Sequence, residues 1–186
     1  QLRYGGSQHA YRRSTYATHS LHMDNGGWFH FVCQWDSNNS TTADRFIIWI
    51  NGVRQDLIEY NATQSGSSSG FMTGQNYIGK AHDTSGYNAE FYLAELHAVN
   101  NAVLAPTHFG FTDPITGNWR PKKSSDIVAA TTYGTGGWYL DFSDPSDLGA
   151  DRSGNGQNWS AYNFDAADCV FDSPTNNFCI LDNNDL

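Results

Sequence analysis

Trp28-Phe29-His30-Phe31-Val32-Cys33-Gln34-Trp35 and, beyond a polar loop, Arg45-Phe46-Ile47-Ile48-Trp49-Ile50-Asn51-Gly52 decide the fold. In an extended chain successive side chains point to opposite faces. The first stretch therefore sorts into Trp28, His30, Val32 and Gln34 on one face and Phe29, Phe31, Cys33 and Trp35 on the other. The second face is wholly apolar and is expected to meet the core. The next apolar run ends in Asn51-Gly52, a strong hairpin signal, because a type I′ turn needs positive φ at both central positions. Residues 53–58 are the expected returning strand, and 36–44 (DSNNSTTAD) the loop between the first two.

The same pattern continues outward. Residues 76–80 read as a short strand, and 90–99 (EFYLAELHAV) as the longest one. A turn at 82–86 precedes it, and a Ser/Gly-rich loop spans 61–70. Residues 102–109 fit a single helical turn with Pro106 near its first position. Residues 137–142 (GWYLDF) are a further strand, followed by an acidic, Gly-rich loop at 144–159. Residues 1–23 hold at most one or two weak strands, and 173–178 no strong element.

Composition agrees. Of 19 acidic residues 16 are Asp, beside three Lys, 18 Gly and 17 Asn in 186 residues. Glu and Lys build helices, whereas Asp, Asn and Gly favour turns. Ten Tyr and eleven Phe favour strands, so the fold class expected is all-β. An aromatic content of 15% excludes a charge-extended disordered chain. Ten basic residues and a net charge of −9 exclude a polybasic nucleic-acid surface. The −9 is uneven, since residues 1–123 are neutral and every excess acid lies in 124–186. Pro121-Lys122-Lys123-Ser124-Ser125 marks the step, which reads either as a boundary between 1–121 and an acidic extension over 122–186 or as a solvated acidic face on a single domain. Trp138, Tyr139, Leu140, Phe142, Trp159, Tyr162, Phe164 and Phe171 are too apolar for a solvated tail, so the extension is expected to pack on the first part. No apolar stretch approaches the roughly 20 residues of a membrane span. No signal peptide is visible, and the opening Gln1-Leu2-Arg3-Tyr4 reads as the middle of a longer protein.

The order of elements resembles the concanavalin A-like, laminin G-like jelly roll. The resemblance rests on Trp28-Phe29-His30, Trp35-Asp36, 47–52, Tyr77-Ile78-Gly79, Tyr92-Leu93-Ala94-Glu95-Leu96 and Ala102-Val103-Leu104-Ala105-Pro106. Further motifs run past the boundary: Phe109-Gly110-Phe111-Thr112-Asp113, 116–122, 138–142 and 151–156. These look like a subfamily found in virion structural proteins of marine bacteriophages, and the resemblance covers roughly residues 20–178. It implies an N-terminally incomplete β-sandwich over 1–121 and a connector over 122–186 that packs on it and leads to another module. It further implies a non-catalytic tail, fibre or capsid-appendage protein on the extracellular face of a virion. Such a protein would pack against other virion proteins and copies of itself and contact host-surface glycan, with no nucleic acid and no membrane insertion. The alternative is a lectin domain of a secreted or cell-surface protein; a glycoside hydrolase is less favoured.

The residues themselves argue against catalysis. A retaining glycosidase needs two carboxylates about 5–5.5 Å apart. On a strand these fall at i and i+2 or i+4, whereas Glu90 and Glu95 are five apart and face opposite sides. Glu90 reads as an edge carboxylate and Glu95 as a hydrogen-bonded structural one. Asp141, Asp144, Asp147 and Asp151, with Asn155, form the densest acid cluster. Calcium takes oxygens of this kind, but the spacing fits no EF-hand loop and lacks the closing Glu, so these read as solvated turn residues. His19, His22 and the other five histidines form no HExxH and read as stray polar residues. No GxSxG elbow exists. Cys33 reads as a buried thiol, and Cys169 and Cys179 as free thiols able to pair. The sequons at Asn38, Asn39, Asn61 and Asn158 read as inert. Trp28, Trp49 and Tyr92, opposite the expected core, read as packing residues first and sugar-stacking platforms second. No catalytic, cofactor-binding or metal-binding residue is assigned, and no cofactor is expected, with calcium at the acid cluster as the minor alternative.

Overall fold

The computed structural model describes residues 12–14, 28–36, 38–55, 57–59, 76–79, 91–164 and 166–170. Its strands, in order, are β1 (Arg12–Ser14), β2 (Phe31–Trp35), β3 (Phe46–Ile50), β4 (Val53–Arg54), β5 (Leu57–Glu59), β6 (Leu96–Ala98), β7 (Gly110–Thr112), β8 (Trp119–Pro121) and β9 (Trp138–Leu140). One α-helix, α1 (Ser124–Ala130), accompanies them, with 3-10 turns at Thr42–Asp44, Pro106–His108 and Ala166–Asp168. The described strands pair antiparallel as β2-β3-β4, β1-β5, β6-β9 and β7-β8. None of the described helices is long and apolar enough to cross a membrane.

The hairpin signal is realised. Asn51 and Gly52 take φ of 49° and 76°, and Ile50 pairs with Val53 across them. Asn51 also closes the far side of the sheet, since its side chain accepts from His30 N at 2.8 Å and its own N–H donates to His30 O at 2.8 Å. The 36–45 loop is tied down by polar contacts. Asp36 caps Asn38 N, Arg45 Nε donates to Asn39 O, and Arg54 pairs with Asp44 at 2.6 Å.

Pairing β2 with β3 puts Cys33 opposite Ile48 and Trp35 opposite Phe46. These residues and Ile50 form the hydrophobic cluster. Burial pushes the Cys33 thiol up to about 12, so it behaves as an inert core group. The expected core face is half right. Phe29 and Phe31 are 46% and 43% exposed, while Val32 and Ile47 on the opposite face are buried. Register explains this. Phe31, Ile50 and Val53 form one row across the sheet, in which the middle residue is covered by its neighbours and the outer two are exposed. Trp28 and Trp49 are partly buried.

Three expected strands need correction. Residues 53–58 do not form one strand, because pairing with β3 ends at Arg54 and β5 pairs instead with β1. Residues 76–79 carry no strand, and Gly79 sits at φ 78°. Of 90–99, only β6 is a strand and 91–95 is irregular, because Glu95 takes φ 49° immediately before it. Tyr92 is accordingly 71% exposed and not on a strand. The expected helical turn is found as the 3-10 turn led by Pro106. The all-β expectation missed α1, whose seven residues bury only Ile127.

Segment 119–159 meets the preceding elements through stacked rings and strand pairing, among other contacts. Trp119 of β8 stacks on His30 with ring centroids 5.9 Å apart and lies over both Gly52 and Gly110. A side chain at either glycine would enter the indole. β9 pairs with β6, and its Leu140 is the most deeply buried large side chain among the described residues, at 1% exposure. Replacing Gly52 by Ala is expected to cost about 2 kcal/mol, combining left-handed strain with displacement of the Trp119 ring. Gly117 has a similar φ of 71° but open space around it, so Gly117→Ala isolates the strain alone. Denaturant midpoints of the two variants should separate, with Gly52→Ala the lower.

Candidate functional site

The 131–136 segment follows α1 and precedes β9, and three anchors hold it. Thr131 Oγ1 donates to Ile127 O at 2.6 Å and bonds His108 Nε2 at 2.8 Å. The backbone N–H of Asn100 donates to Tyr133 O at 2.8 Å, and its side-chain amide donates to Thr135 O at 2.5 Å. Asn155 Nδ2 donates to Gly134 O and to Gly137 O, both at 2.8 Å. Gly134 needs both its φ of 70° and its missing Cβ, since a Cβ would strike the Asn100 carbonyl.

Opposite this wall lies the 151–157 loop, organised by Asp151. Its Oδ1 accepts from Tyr139 N at 2.9 Å and Ser153 N at 2.8 Å. Its Oδ2 accepts from Ser153 Oγ and Gln157 N, both at 2.9 Å. Asp151 N in turn donates to Asn158 Oδ1 at 2.9 Å. Desolvation acts to raise the Asp151 pKa, but the hydrogen bonds from Tyr139, Ser153 and Gln157 together outweigh it and hold the carboxylate below its ordinary range. Between the two walls is a shallow, open depression of about 580 Å³, lined by 131–136 and by Ser153, Asn155 and Gln157.

Behind the first wall sits His97. It lies directly opposite Tyr139 in the β6–β9 ladder, and the rings stack at 4.1 Å, 3° from parallel. Its Nδ1 shares a 2.8 Å hydrogen bond with the Tyr133 hydroxyl, and Phe109 closes another side. Its Nε2 is buried without a partner. Burial first, and then the neighbouring His30 and His108, lower its pKa to about 4. Desolvation likewise lowers His30, whose Nδ1 accepts from Trp119 Nε1 at 3.0 Å and so is held neutral. Burial also raises the Tyr133 and Tyr139 hydroxyls. The reading of stray polar histidines fails for these three, which are internal packing and hydrogen-bonding groups.

The acid cluster is not brought together as a ligand set. Asp141 and Asp144 each cap the residue two ahead, with Ser143 and Ser146 returning hydroxyl bonds. Asp151 repeats the device with Ser153 and is structural, contrary to the solvated-turn reading. All four acceptor positions of its carboxylate are filled by protein donors, which leaves none for a cation. Among the described residues no three of His, Cys, Asp and Glu are grouped to hold a metal ion. Glu95 accepts a short hydrogen bond from Ser124 Oγ, as expected of a structural carboxylate. Cys33 and Cys169 are free. Asn38 and Asn158 are exposed, and Asn39 is partly buried. Glu90, His19, His22, Cys179, Asn61 and Phe171 lie outside the described residues.

Sequence reasoning missed the depression. Its signal was present in the spacing Asp151-x-Ser153-x-Asn155, but only the fold shows that Asn155 reaches back to Gly134 and Gly137. No protein-family model, curated protein or solved structure matches the chain.

Proposed function

We propose that the chain is a non-catalytic structural and adhesion module of a virion, a jelly-roll sandwich with an acidic extension docked on it, whose depression contacts host-surface glycan. The carrying observation is the chemistry of the depression. Its walls offer hydroxyl, amide and backbone groups that hydrogen-bond sugar hydroxyls, and among the described residues no carboxylate lines it. Glycoside hydrolysis needs an acid and a base facing each other across the bond. Asp151, in the loop that forms one wall, has its carboxylate saturated by Tyr139, Ser153 and Gln157. The motif order from Trp28 to Asn155 supports the virion setting, and repetition in an assembly multiplies weak single-site binding.

The test is a glycan array probed with the chain displayed in many copies, together with a reducing-end assay on any glycan bound. The expected result is sugar-selective retention, lost on competition with free sugar, and no new reducing ends. Release of reducing ends overturns the non-catalytic assignment. An array that stays silent under multivalent display overturns the adhesion role.

A further inference from the structure

We infer that the depression is selective for uncharged glycans and rejects sulfated or carboxylated ones; this rests on the glycan reading above. The fold has already used several polar atoms of the walls. Asn155 gives both amide protons to Gly134 O and Gly137 O, which leaves Oδ1 as the free atom of its amide. Ser153 gives its hydroxyl proton to Asp151, so only lone pairs remain, one of which takes Asn155 N at 3.2 Å. The fixed groups of that wall therefore present acceptors. A sugar hydroxyl has a proton to give them, whereas a sulfate or carboxylate oxygen has none.

The adjustable groups complete the match. Thr132, Thr135 and Gln157 carry side chains that make no hydrogen bond to other described residues, in a region where Thr131, Ser153 and Asn155 are all committed. Hydroxyls and a primary amide both donate and accept, as sugar hydroxyls do. Among the described residues no Lys, Arg or His lines the depression. Arg152, next to Ser153 in the chain, turns its guanidinium to Asp141 at 3.5 Å. Negative charge stands close behind instead. The Asp151 carboxylate is one hydrogen bond from Ser153 and from Gln157, and residues 124–164 contain five acids and one base. An anionic sugar would meet that field with no counter-charge.

The experiment uses the whole chain on an array carrying neutral, carboxylated and sulfated oligosaccharides, read at low and high salt. Neutral members should bind, and acidic members of the same backbone should bind about tenfold more weakly at low salt. The gap should narrow in 1 M salt, where screening acts within about 3 Å. Gln157→Lys places a cation on the exposed rim and should recover the acidic members, with an unchanged thermal melt showing an intact fold. Thr132→Val should weaken neutral binding. Acidic glycans binding as well as neutral ones, or a gap insensitive to both salt and Gln157→Lys, overturns the charge selectivity while leaving a glycan site. Silence across every class overturns the glycan reading together with it.

Discussion

Stability falls by about 3 kcal/mol as the pH is lowered from 6.5 to 4, and His97 is the main cause. In the unfolded chain this imidazole takes up a proton near its ordinary pKa of 6.5, whereas the folded state holds it neutral down to about 4. Between those values the unfolded state binds more protons, so acid favours unfolding; above 6.5 the effect is absent, and below 4 it is complete. The size follows from a shift of about two and a half units at 1.36 kcal/mol each. Three features of the stack explain why the fold refuses the proton. The Nε2 atom has no partner that would accept a bond from it. Tyr139 and Phe109 exclude water from the ring faces. His30 and His108 act on it as like charges, while Glu95, Asp141 and Asp151 are the carboxylates whose fields reach the Tyr133 and Tyr139 rings around it. His97→Phe keeps the stacking and removes the titration, so its urea midpoint should be nearly flat across this window apart from the smaller contribution of His30. An unchanged slope in His97→Phe would show that other groups carry the acid sensitivity.

The parts of the fold that were legible in the sequence are those governed by near neighbours. Alternation in 28–35 and the Asn51-Gly52 pair both act within a few residues, and β2, β3 and the tight turn to β4 follow from them. So does the 3-10 turn at Pro106. The strand failures have one physical form, a distant contact overriding a local preference. Residues 90–95 alternate well enough for a strand, yet Glu95 adopts a left-handed backbone and meets Ser124 of α1. Phe31 has an apolar face-mate at Cys33, yet its row ends in solvent because β2 is an outer strand of the described β2-β3-β4 sheet. The helix α1 is too short to show a 3.6-residue period. Histidine was least legible of all. Nothing local separates His97 from the polar histidines elsewhere, and only the β6–β9 register seats it on Tyr139. The depression depends on the same long-range step, from Asn155 to Gly134.

Asp151→Ala is expected to cost about 3 kcal/mol and to dissolve the depression with it. Four donors lose their acceptor at once: Tyr139 N on β9, Ser153 N and Oγ, and Gln157 N. A hydrogen bond to a charged group contributes about 1.5–3 kcal/mol, and each buried orphaned donor costs about 1–3 kcal/mol. Water reaches this half-buried site and recovers part of that, which sets the total nearer one strong bond than four. Asp151→Asn should lose about half as much, because the amide retains one oxygen for Tyr139 N and Ser153 N but turns an N–H toward Gln157 N. Asp147→Ala is the control. Its side chain is exposed, so it should change the midpoint by less than about 0.5 kcal/mol despite the same change of charge. The pH dependence distinguishes this carboxylate from His97. Its pKa lies below the unfolded value, so its contribution is complete above the unfolded carboxylate range and is lost only as the pH falls through its lowered pKa. Wild-type protein should thus lose stability in two steps on acidification, the first set by His97 and the second including Asp151. Asp151→Ala should keep the first step and blunt the second. Equal midpoints for Asp151→Ala and Asp147→Ala would mean that the loop is held by the Asn155 clasp alone and that the carboxylate merely fits between its donors.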